Sequence, residues 1–409
     1  MTSRSRTAYS WRRGGSGRVG EQGTCGGTGG HTPPTDGDGA PGGRGPISPS
    51  IAFGEAFAGA DALEHIRSNG LSADDIDMVM GASGGPKWIS LAAIDRYLIS
   101  EWFGGRTKPL HLLGTSAGGW RLACYARNNP LAAHARFQDA YMGQQYSAKP
   151  SAQEVGAECR HILSEILRPD TDIPGEQEIM NHAVMRYNTL VTRCRGLGAS
   201  ENKVLQGLGM VGAMSSNMLA RSAMRPWVER VFFHHPHKPP IDYFPHLPAR
   251  HVALTADNLA PAVLATGAIP MAISGVHDIP GAPRGTYRDG GITDYQFDLP
   301  VLPEKGFVLY PHYFAKAPIG GWFDKKLKWR TSSREYYKRT IIIAPSWEFA
   351  ATLPGGRIPD LDDFYQYPDY SERRRRWDIA AAECEKLADE LQDIHDNQRW
   401  AAVAEPLPW

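Results

Sequence analysis

The sequence lacks long hydrophobic runs. None of its apolar segments approaches the ~20 residues that a membrane-spanning helix needs, and its N-terminus lacks the apolar core of a secretion signal. Cysteines are few, odd in number and scattered, which excludes a disulfide framework; they are Cys25, Cys124, Cys159, Cys194 and Cys384. We therefore expect a soluble, cytoplasmic protein with reduced thiols.

An excess charge of either sign is also absent. Lys plus Arg and Asp plus Glu number 44 each, so there is no global field to attract nucleic acid, and no nucleic-acid partner is expected. With 409 residues, 42% of them hydrophobic, the chain can bury a large core in one sizeable domain with additions.

The first 50 residues have almost nothing to bury. They are rich in Gly, Ser, Thr, Pro and Arg, which predicts a disordered tail; a basic tail that contacts acidic partners, or an overextended translation start, are the alternatives. Folded sequence is expected from about Ile51. We predict a main domain over 51–345, with a helix-rich insert at about 136–250, and a C-terminal loop and amphipathic helix over 346–409.

Strand and helix signals alternate along the folded part, which predicts an α/β fold of three layers, with helices on both faces of a mixed sheet. There is no internal repeat at solenoid spacing. Helices are predicted at Ala60–Ser68, Lys87–Phe103, Gln153–Leu167 and Lys203–Val231, and strands at Ile76–Met80, Leu110–Leu113, His251–Leu254 and Thr286–Arg288.

The segment Gly114-Thr115-Ser116-Ala117-Gly118 places a serine between a strand-like and a helical run. In a chain with 44 glycines the Gly-x-Ser-x-Gly pattern alone is weak, but a strand-to-helix turn is where an exposed nucleophilic serine is found. Gly114 and Gly118 then leave room for a tight turn, and the helix N-terminus directs peptide N-H groups at developing negative charge.

A second match, Gly81-Ala82-Ser83-Gly84-Gly85, also follows a strand-like run. It leads through Pro86 to Lys87 and a predicted helix, so Gly84 and Gly85 resemble a backbone that cradles an anion, such as the oxyanion of a tetrahedral intermediate. A plain connection between strand and helix is the alternative. The local sequence favours Ser116 over Ser83 as the nucleophile but leaves both open.

The third segment is Asp289-Gly290-Gly291, after a predicted strand. Asp-Gly-Gly alone is usually a turn. About twenty residues earlier, 265–270 reads as a helix end of small side chains followed by Pro270, which could let the backbone pass close to a site.

In this order, the segments resemble the patatin-like phospholipase family over about 77–294. The resemblance implies a serine acyl hydrolase of lipids with Ser116 as nucleophile and Asp289 as its base. It implies that Gly84 and Gly85 form the oxyanion loop with Lys87 in its basic position, and it moves Ser83 into that loop. Here Pro86 precedes Lys87 and no glycine follows it directly, whereas many relatives have a fuller glycine pattern and an arginine.

Such a dyad needs neither cofactor nor metal, and its partner is a lipid or acyl-ester substrate, with peripheral membrane contact as a further expectation. Aspartate is a weak base unless burial raises its pKa, so we expect Asp289 in a dry cleft. Two alternatives remain: a Ser-Asp-His triad, for which His312 is the serious histidine candidate, and a lipid-binding protein of the same fold without turnover. Head group, acyl chain, hydrolase versus acyltransferase balance and oligomeric state have no signal in the sequence.

Four other features have a structural and a functional interpretation. Met210, Met214, Met218 and Met224 fill core or line an acyl pocket. The histidines at 234, 235 and 237 are interrupted by prolines, which disfavours a metal site. The aromatic and basic segment 322–330 is a solvated loop or an interfacial anchor. The C-terminal helix has an apolar stripe, expected to pack on the domain, at Trp377, Ala380, Cys384, Leu387, Leu391 and Ile394, and Arg373–Arg376 read as a solvated face.

Overall fold

The computed structural model describes residues 52–409 except Pro240, Asp242, Leu302, Glu304 and Ala317. The expected disordered tail, 1–50, and Ile51 lie outside the described residues.

Strands of the described residues form one mixed sheet. They are β1 (Gly54–Ala58), β2 (Ile76–Gly81), β3 (Leu110–Gly114), β4 (Met185–Cys194), β5 (Val228–His234), β6 (Ala249–Ala253), β7 (Val276–His277), β8 (Thr286–Arg288), β9 (Phe307–Pro311), β10 (Thr340–Pro345) and β11 (Glu405–Pro406). Their order is β11-β1-β10-β9-β2-β3-β4-β5-β6, with β8 on β4 and β7 on β8. The run from β10 to β4 is parallel throughout, while β1, β5 and β8 each run antiparallel to a neighbour.

Helices connect and cover these strands. They are α1 (Ala60–Asn69), α2 (Ala92–Tyr97), α3 (Ala117–Tyr125), α4 (Pro130–Met142), α5 (Ala152–Leu167), α6 (Gly175–Asn181), α7 (Lys203–Leu219), α8 (Ala256–Thr266), α9 (Gly291–Asp294), α10 (Trp347–Thr352), α11 (Asp363–Gln366), α12 (Tyr370–Glu383), α13 (Glu385–Asp396) and α14 (Trp400–Val403). The predicted helix Lys87–Phe103 is helical but irregular, because a 3₁₀ segment, Gly85–Leu91, and a π segment, Leu98–Trp102, flank α2.

The central strands are buried on both faces. Every residue of β3, β9 and β10 is buried, and successive strand residues point to opposite faces of a sheet. Cover therefore lies on both sides, and the predicted α/β class with a mixed sheet is confirmed.

One predicted helix is wrong at its C-terminal end. The span Lys203–Val231 was expected to be a single helix, but α7 ends at Leu219 and Val228 begins β5. Pro226 cannot continue a helix, and the aromatic and β-branched run after it suits a sheet. The segment 136–250, expected as a helix-rich insert, contains α5, α6, α7 and part of α4, and it also contributes β4, β5 and part of β6 to the sheet.

The C-terminal apolar stripe packs as expected, since all six of its side chains are buried. It belongs to two helices, α12 and α13, separated at Cys384. The solvated face expected for Arg373–Arg376 is wrong for Arg373. That side chain is buried, donates to the carbonyl oxygens of Gln144 and Tyr367, and lies over the Phe364 ring.

The methionines of the central region divide between core and surface: Met210 and Met224 are buried, while Met214 and Met218 are exposed. The cysteines that the structure describes, Cys124, Cys159, Cys194 and Cys384, are buried and form no disulfide. Among the described helices, none has the length and apolarity required to cross a bilayer.

Candidate active site

Two strands run head-on toward each other along one edge of β4. Residues 185–189 of β4 pair with β3 in parallel, and residues 192–194 pair with β8 antiparallel. The opposite edge of β4 is occupied by β5 from Thr189 to Cys194, so β3 and β8 share the remaining edge. The chain that leaves β3 toward Ser116 therefore meets the chain that leaves β8 toward Asp289.

Ser116 lies on a sharp turn between β3 and α3. Its φ of 51° and ψ of −133° place a residue with a side chain in the left-handed region, which is uncommon and is held by the surrounding packing. The backbone is packed tightly around this turn. A Cβ atom on Gly118 would lie 2.1 Å from the carbonyl oxygen of Gly81, at the end of β2, and a Cβ atom on Gly114 would lie 2.4 Å from Cα of Gly119. The predicted strand-to-helix turn at Ser116 is therefore present.

The hydroxyl of Ser116 donates a 2.7 Å hydrogen bond to Oδ2 of Asp289. The other carboxylate oxygen, Oδ1, accepts from the Gly291 N-H group at 2.7 Å. Both residues are buried, with 7% of Ser116 and 6% of Asp289 exposed. The structure thus brings together the serine and the carboxylate, which are 173 positions apart in the chain; their catalytic roles stay a prediction.

Burial raises the pKa of Asp289 from 3.8 to about 7, although the hydrogen bonds from Ser116 and Gly291 lower it. Buried guanidinium groups near this segment are bonded to other residues: that of Arg230 to Asp294, with Nε to Oδ2 at 2.6 Å and Nη2 to Oδ1 at 2.7 Å, and that of Arg288 to Glu201 at 2.9 Å. A carboxyl group with a pKa near neutrality can both accept and return a proton at physiological pH.

The small-residue segment at the end of α8 contacts both partners. Thr266 accepts a hydrogen bond at Oγ1 from the Ser116 N-H group at 2.9 Å and donates to the Leu190 carbonyl at 2.7 Å. The Ala268 carbonyl accepts from the Asp289 N-H group at 3.0 Å. The expected close passage of this backbone is present, but the positioning contact of Thr266 is not readable from the sequence, where it is one small residue among several.

Glycines after Asp289 are required by close packing. A Cβ atom on Gly290 would lie 2.1 Å from the Leu190 carbonyl oxygen, and one on Gly291 would lie 2.6 Å from Oγ of Ser83 and 2.9 Å from Oδ1 of Asp289. The Asp-Gly-Gly segment is therefore packed against β4 and the first glycine loop.

Ser83 lies beside the pair but is bonded elsewhere. Its hydroxyl is 2.8 Å from Oγ1 of Thr115, which donates to the Asp294 carbonyl at 3.0 Å. Of the two candidate serines, the structure places only Ser116 in hydrogen-bond contact with Asp289.

Backbone donors suited to an oxyanion occur at two turns. The loop after β2 and the turn after β3 are adjacent, because Gly81 pairs with Gly114 and the Thr115 N-H group donates to the Gly81 carbonyl at 3.1 Å. Gly84 precedes the first residue of a 3₁₀ helix, Gly85 (φ +53°), and Ala117 is the first residue of α3. Such N-terminal N-H groups have no partner inside their own helix.

Lys87 is not a free cation. Its ammonium group forms an ion pair with Asp360 and lies 5.7 Å from the centre of the Phe314 ring. The same C-terminal segment covers the loop, since a Cβ atom on Gly85 would lie 2.9 Å from Leu361. The expected basic position is occupied, with its charge already compensated.

His312 is buried and faces a different set of groups. Its Nδ1 atom is 2.8 Å from the Phe314 carbonyl oxygen, its ring lies against Tyr310 at 4.9 Å, and burial lowers its pKa to about 4. The hydrogen bonds of Asp289 that the structure describes run to Ser116, Gly291, Ala268 and Ile292, so the geometry does not assemble the triad.

The histidines at the end of β5 and just after it do not form a metal centre either. His234 and His235 are buried, and within the described part of the chain no group of three or more His, Cys, Asp or Glu side chains could hold a metal ion.

Comparisons with known proteins give only distant structural neighbours. No protein-family model and no curated protein matches the chain. VipD from Legionella pneumophila is similar with a TM-score of 0.30 and 11% identity, over 77% of this chain and 67% of that one. Human GIVD cytosolic phospholipase A2 is similar with a TM-score of 0.33 and 11% identity, over 83% of this chain and 62% of that one.

Proposed function

We propose that this chain is a serine acyl-ester hydrolase that acts on lipids, with Ser116 as nucleophile and Asp289 as general base. The observation that carries the proposal is the 2.7 Å hydrogen bond between Oγ of Ser116 and Oδ2 of Asp289 in a buried site where the carboxyl pKa is about 7. The choice of lipids as acyl donors rests on the resemblance of the ordered motifs to patatin-like phospholipases.

In the proposed reaction, Asp289 takes the Ser116 proton as Oγ attacks the ester carbonyl carbon. Negative charge on the carbonyl oxygen would be met by N-H groups of Gly84, Gly85 and Ala117. Collapse of the tetrahedral intermediate breaks the ester bond, and Asp289 returns the proton to the leaving alkoxide. Water then repeats the sequence on the acyl-enzyme, which releases the fatty acid and restores Ser116.

The geometry supports each role of Asp289. The Gly291 N-H group holds Oδ1, so Oδ2 is directed to Ser116. Thr266 fixes the Ser116 backbone N-H group, which leaves the N-H group of Ala117 as the donor expected from the turn. A side chain at position 291 would separate Ser83 from Asp289, so the glycine keeps the loops in contact.

The test is a panel of phospholipids and p-nitrophenyl esters of graded chain length. We expect Ser116→Ala and Asp289→Asn each to lower kcat/KM by at least ~1000-fold, because the first removes the nucleophile and the second its base. A fluorophosphonate should label wild type and Ser83→Ala, but not Ser116→Ala. Hydrolysis unchanged in either dyad variant would refute the proposal, and a wild type that binds lipid without hydrolysis or labelling would favour the non-catalytic alternative.

A further inference from the structure

Helix α7 presents an apolar face to solvent. Of its 17 residues only Lys203 is charged, and its exposed apolar side chains include Val204, with 71% of its surface accessible, and Leu219, with 86%. Ordinary surface helices place charged and polar residues on the outer face. We call six of these exposed side chains the α7 surface: Val204, Leu208, Val211, Met214, Met218 and Leu219.

Four exposed apolar side chains of α7 lie along one side of the helix. Val204, Leu208, Val211 and Met218 follow helical spacing, so they form one stripe along the exposed side. The opposite side is packed on the protein by Gln206, Gly209, Met210, Ala213 and Asn217, which are all buried. The exposed stripe is therefore additional to the one that anchors the helix.

A second exposed segment is tied to the C-terminal end of α7. Arg330 donates to the side chain of Asn217 at 2.9 Å and to its carbonyl at 2.7 Å, and it pairs with Asp324 at 2.6 Å. Asn217 itself donates to Asp324 at 2.7 Å. This network ties both ends of the loop 325–329 to Asn217, the residue before Met218. In that loop, Trp329 has 67% of its surface exposed.

The charges at both ends of the α7 surface are positive. Lys203 is exposed at the N-terminal end, and the loop at the C-terminal end carries exposed Lys325, Lys326 and Lys328. Glu201, the acid next to the helix start, is engaged by Arg288 at 2.9 Å and by His277 at 3.3 Å. In an antiparallel pairing with a second copy, the basic end of one α7 would face the basic end of the other, which disfavours self-association.

We infer that the α7 surface, with Trp329 and the lysines of 325–328, docks on an anionic lipid surface. An apolar stripe that ends in lysines and an exposed indole fits the boundary between acyl chains and head groups. Lipid chains cover the stripe, and lipid phosphates compensate the lysines.

Helix α7 is bonded, through its buried side and the residue Glu201 before it, to segments near Asp289. Gln206 of α7 accepts a hydrogen bond from the Met271 N-H group, and Glu201 binds Arg288, the residue before Asp289. The carbonyl oxygen of Ala268, three residues before Met271, accepts a hydrogen bond from the Asp289 N-H group. The inference goes beyond the proposed hydrolysis and does not depend on it.

The experiment measures co-sedimentation of the full chain with vesicles, in a Ser116→Ala background so that no lipid is consumed. Phosphatidylcholine vesicles with about one third phosphatidylglycerol are compared with pure phosphatidylcholine. We expect Leu208→Ser/Val211→Ser to weaken binding to the mixed vesicles about tenfold or more, because two apolar side chains that insert among the lipid chains are lost. Lys326→Gln/Lys328→Gln should weaken it by a similar factor and leave binding to pure phosphatidylcholine unchanged.

The matched control is Leu131→Ser/Ile379→Ser, which makes the same kind of change at exposed positions outside α7 and should bind like the parent. Thermal unfolding checks that each variant is folded. Trp329→Ala replaces any variant that is not, and it should likewise weaken binding to the mixed vesicles. The inference is overturned if the parent does not sediment with mixed vesicles or if the serine and control pairs behave alike. It is also overturned if light scattering shows a dimer that only the serine pair dissociates while vesicle binding is unchanged.

Discussion

The carboxyl group of Asp289 has an environment that suits its proposed role. Burial raises its pKa to about 7, while two hydrogen bonds hold it in place and partly oppose the shift. A base must be ionised to accept the serine proton, and the closer its pKa is to the working pH, the better it combines ionisation with basicity.

The rate of hydrolysis should depend on pH. Because the ionised form of Asp289 is the base, kcat/KM for a soluble p-nitrophenyl ester should rise about tenfold per pH unit below the pKa and level off above it. The midpoint, measured from about pH 5 to pH 9, should lie near 7. A profile that is already level at pH 5 would contradict the buried carboxyl, since the pKa of a solvated aspartate is near 4.

The geometry of the site depends on how closely helix α3 approaches the end of strand β2. A methyl group on Gly118 would meet the Gly81 carbonyl oxygen at 2.1 Å, and this is backbone that cannot rotate away. The packing of the turn that carries Ser116 is thus tied to the absence of a side chain at one helix position.

Gly118→Ala should therefore destabilise the protein by about 2–4 kcal/mol and lower esterase activity, as measured by urea unfolding and ester hydrolysis. The matched control is Gly207→Ala in α7, where a Cβ atom would meet only Sδ of Met271 at 3.7 Å. There the better helix propensity of alanine should stabilise by about 0.5–1 kcal/mol. Equal effects of the two substitutions would contradict the close approach.

Local signals were sufficient for the turns that carry the candidate residues. The apolar run 110–113 predicted the strand before Ser116, and 286–288 predicted the strand before Asp289, and both strands are present. The helix predicted at Lys203–Val231 was too long. Apolar residues at helical spacing continue past α7 into the run that forms β5, which pairs with β4. In a short apolar run, the tertiary partner decides between helix and strand.

Apart from the pair Ser116 and Asp289, which the resemblance implied, contacts between distant segments could not be predicted. The bond from Ser116 to Thr266 spans 150 positions and the ion pair of Lys87 with Asp360 spans 273. Both depend on which loops meet at the carboxyl ends of the parallel strands. The sequence identified Lys87 as a candidate cation but could not show that Asp360 neutralises it.

The burial of Asp289 lowers the free energy of unfolding of the protein at neutral pH. Its pKa is about 7 in the folded protein and about 3.8 when exposed, so the native state binds more protons than the unfolded state between these values. The contribution of Asp289 to the free energy of unfolding therefore falls as pH rises from about 4 to about 7 and is constant beyond, with a total change of about 4 kcal/mol.

Asp289→Asn removes this titration while keeping the shape of the side chain. The variant should match wild type near pH 4 and become progressively more stable than it up to pH 7, with a plateau above, although it has lost hydrolysis. Thermal midpoints of both proteins across this range measure the difference. The control is Asp369→Asn: Asp369 is solvated and hydrogen bonds lower its pKa, so its effect should not change between about pH 5 and pH 8. If Asp289→Asn shows the same flat profile, the carboxyl group of Asp289 is not held in the dry environment that the proposed base requires.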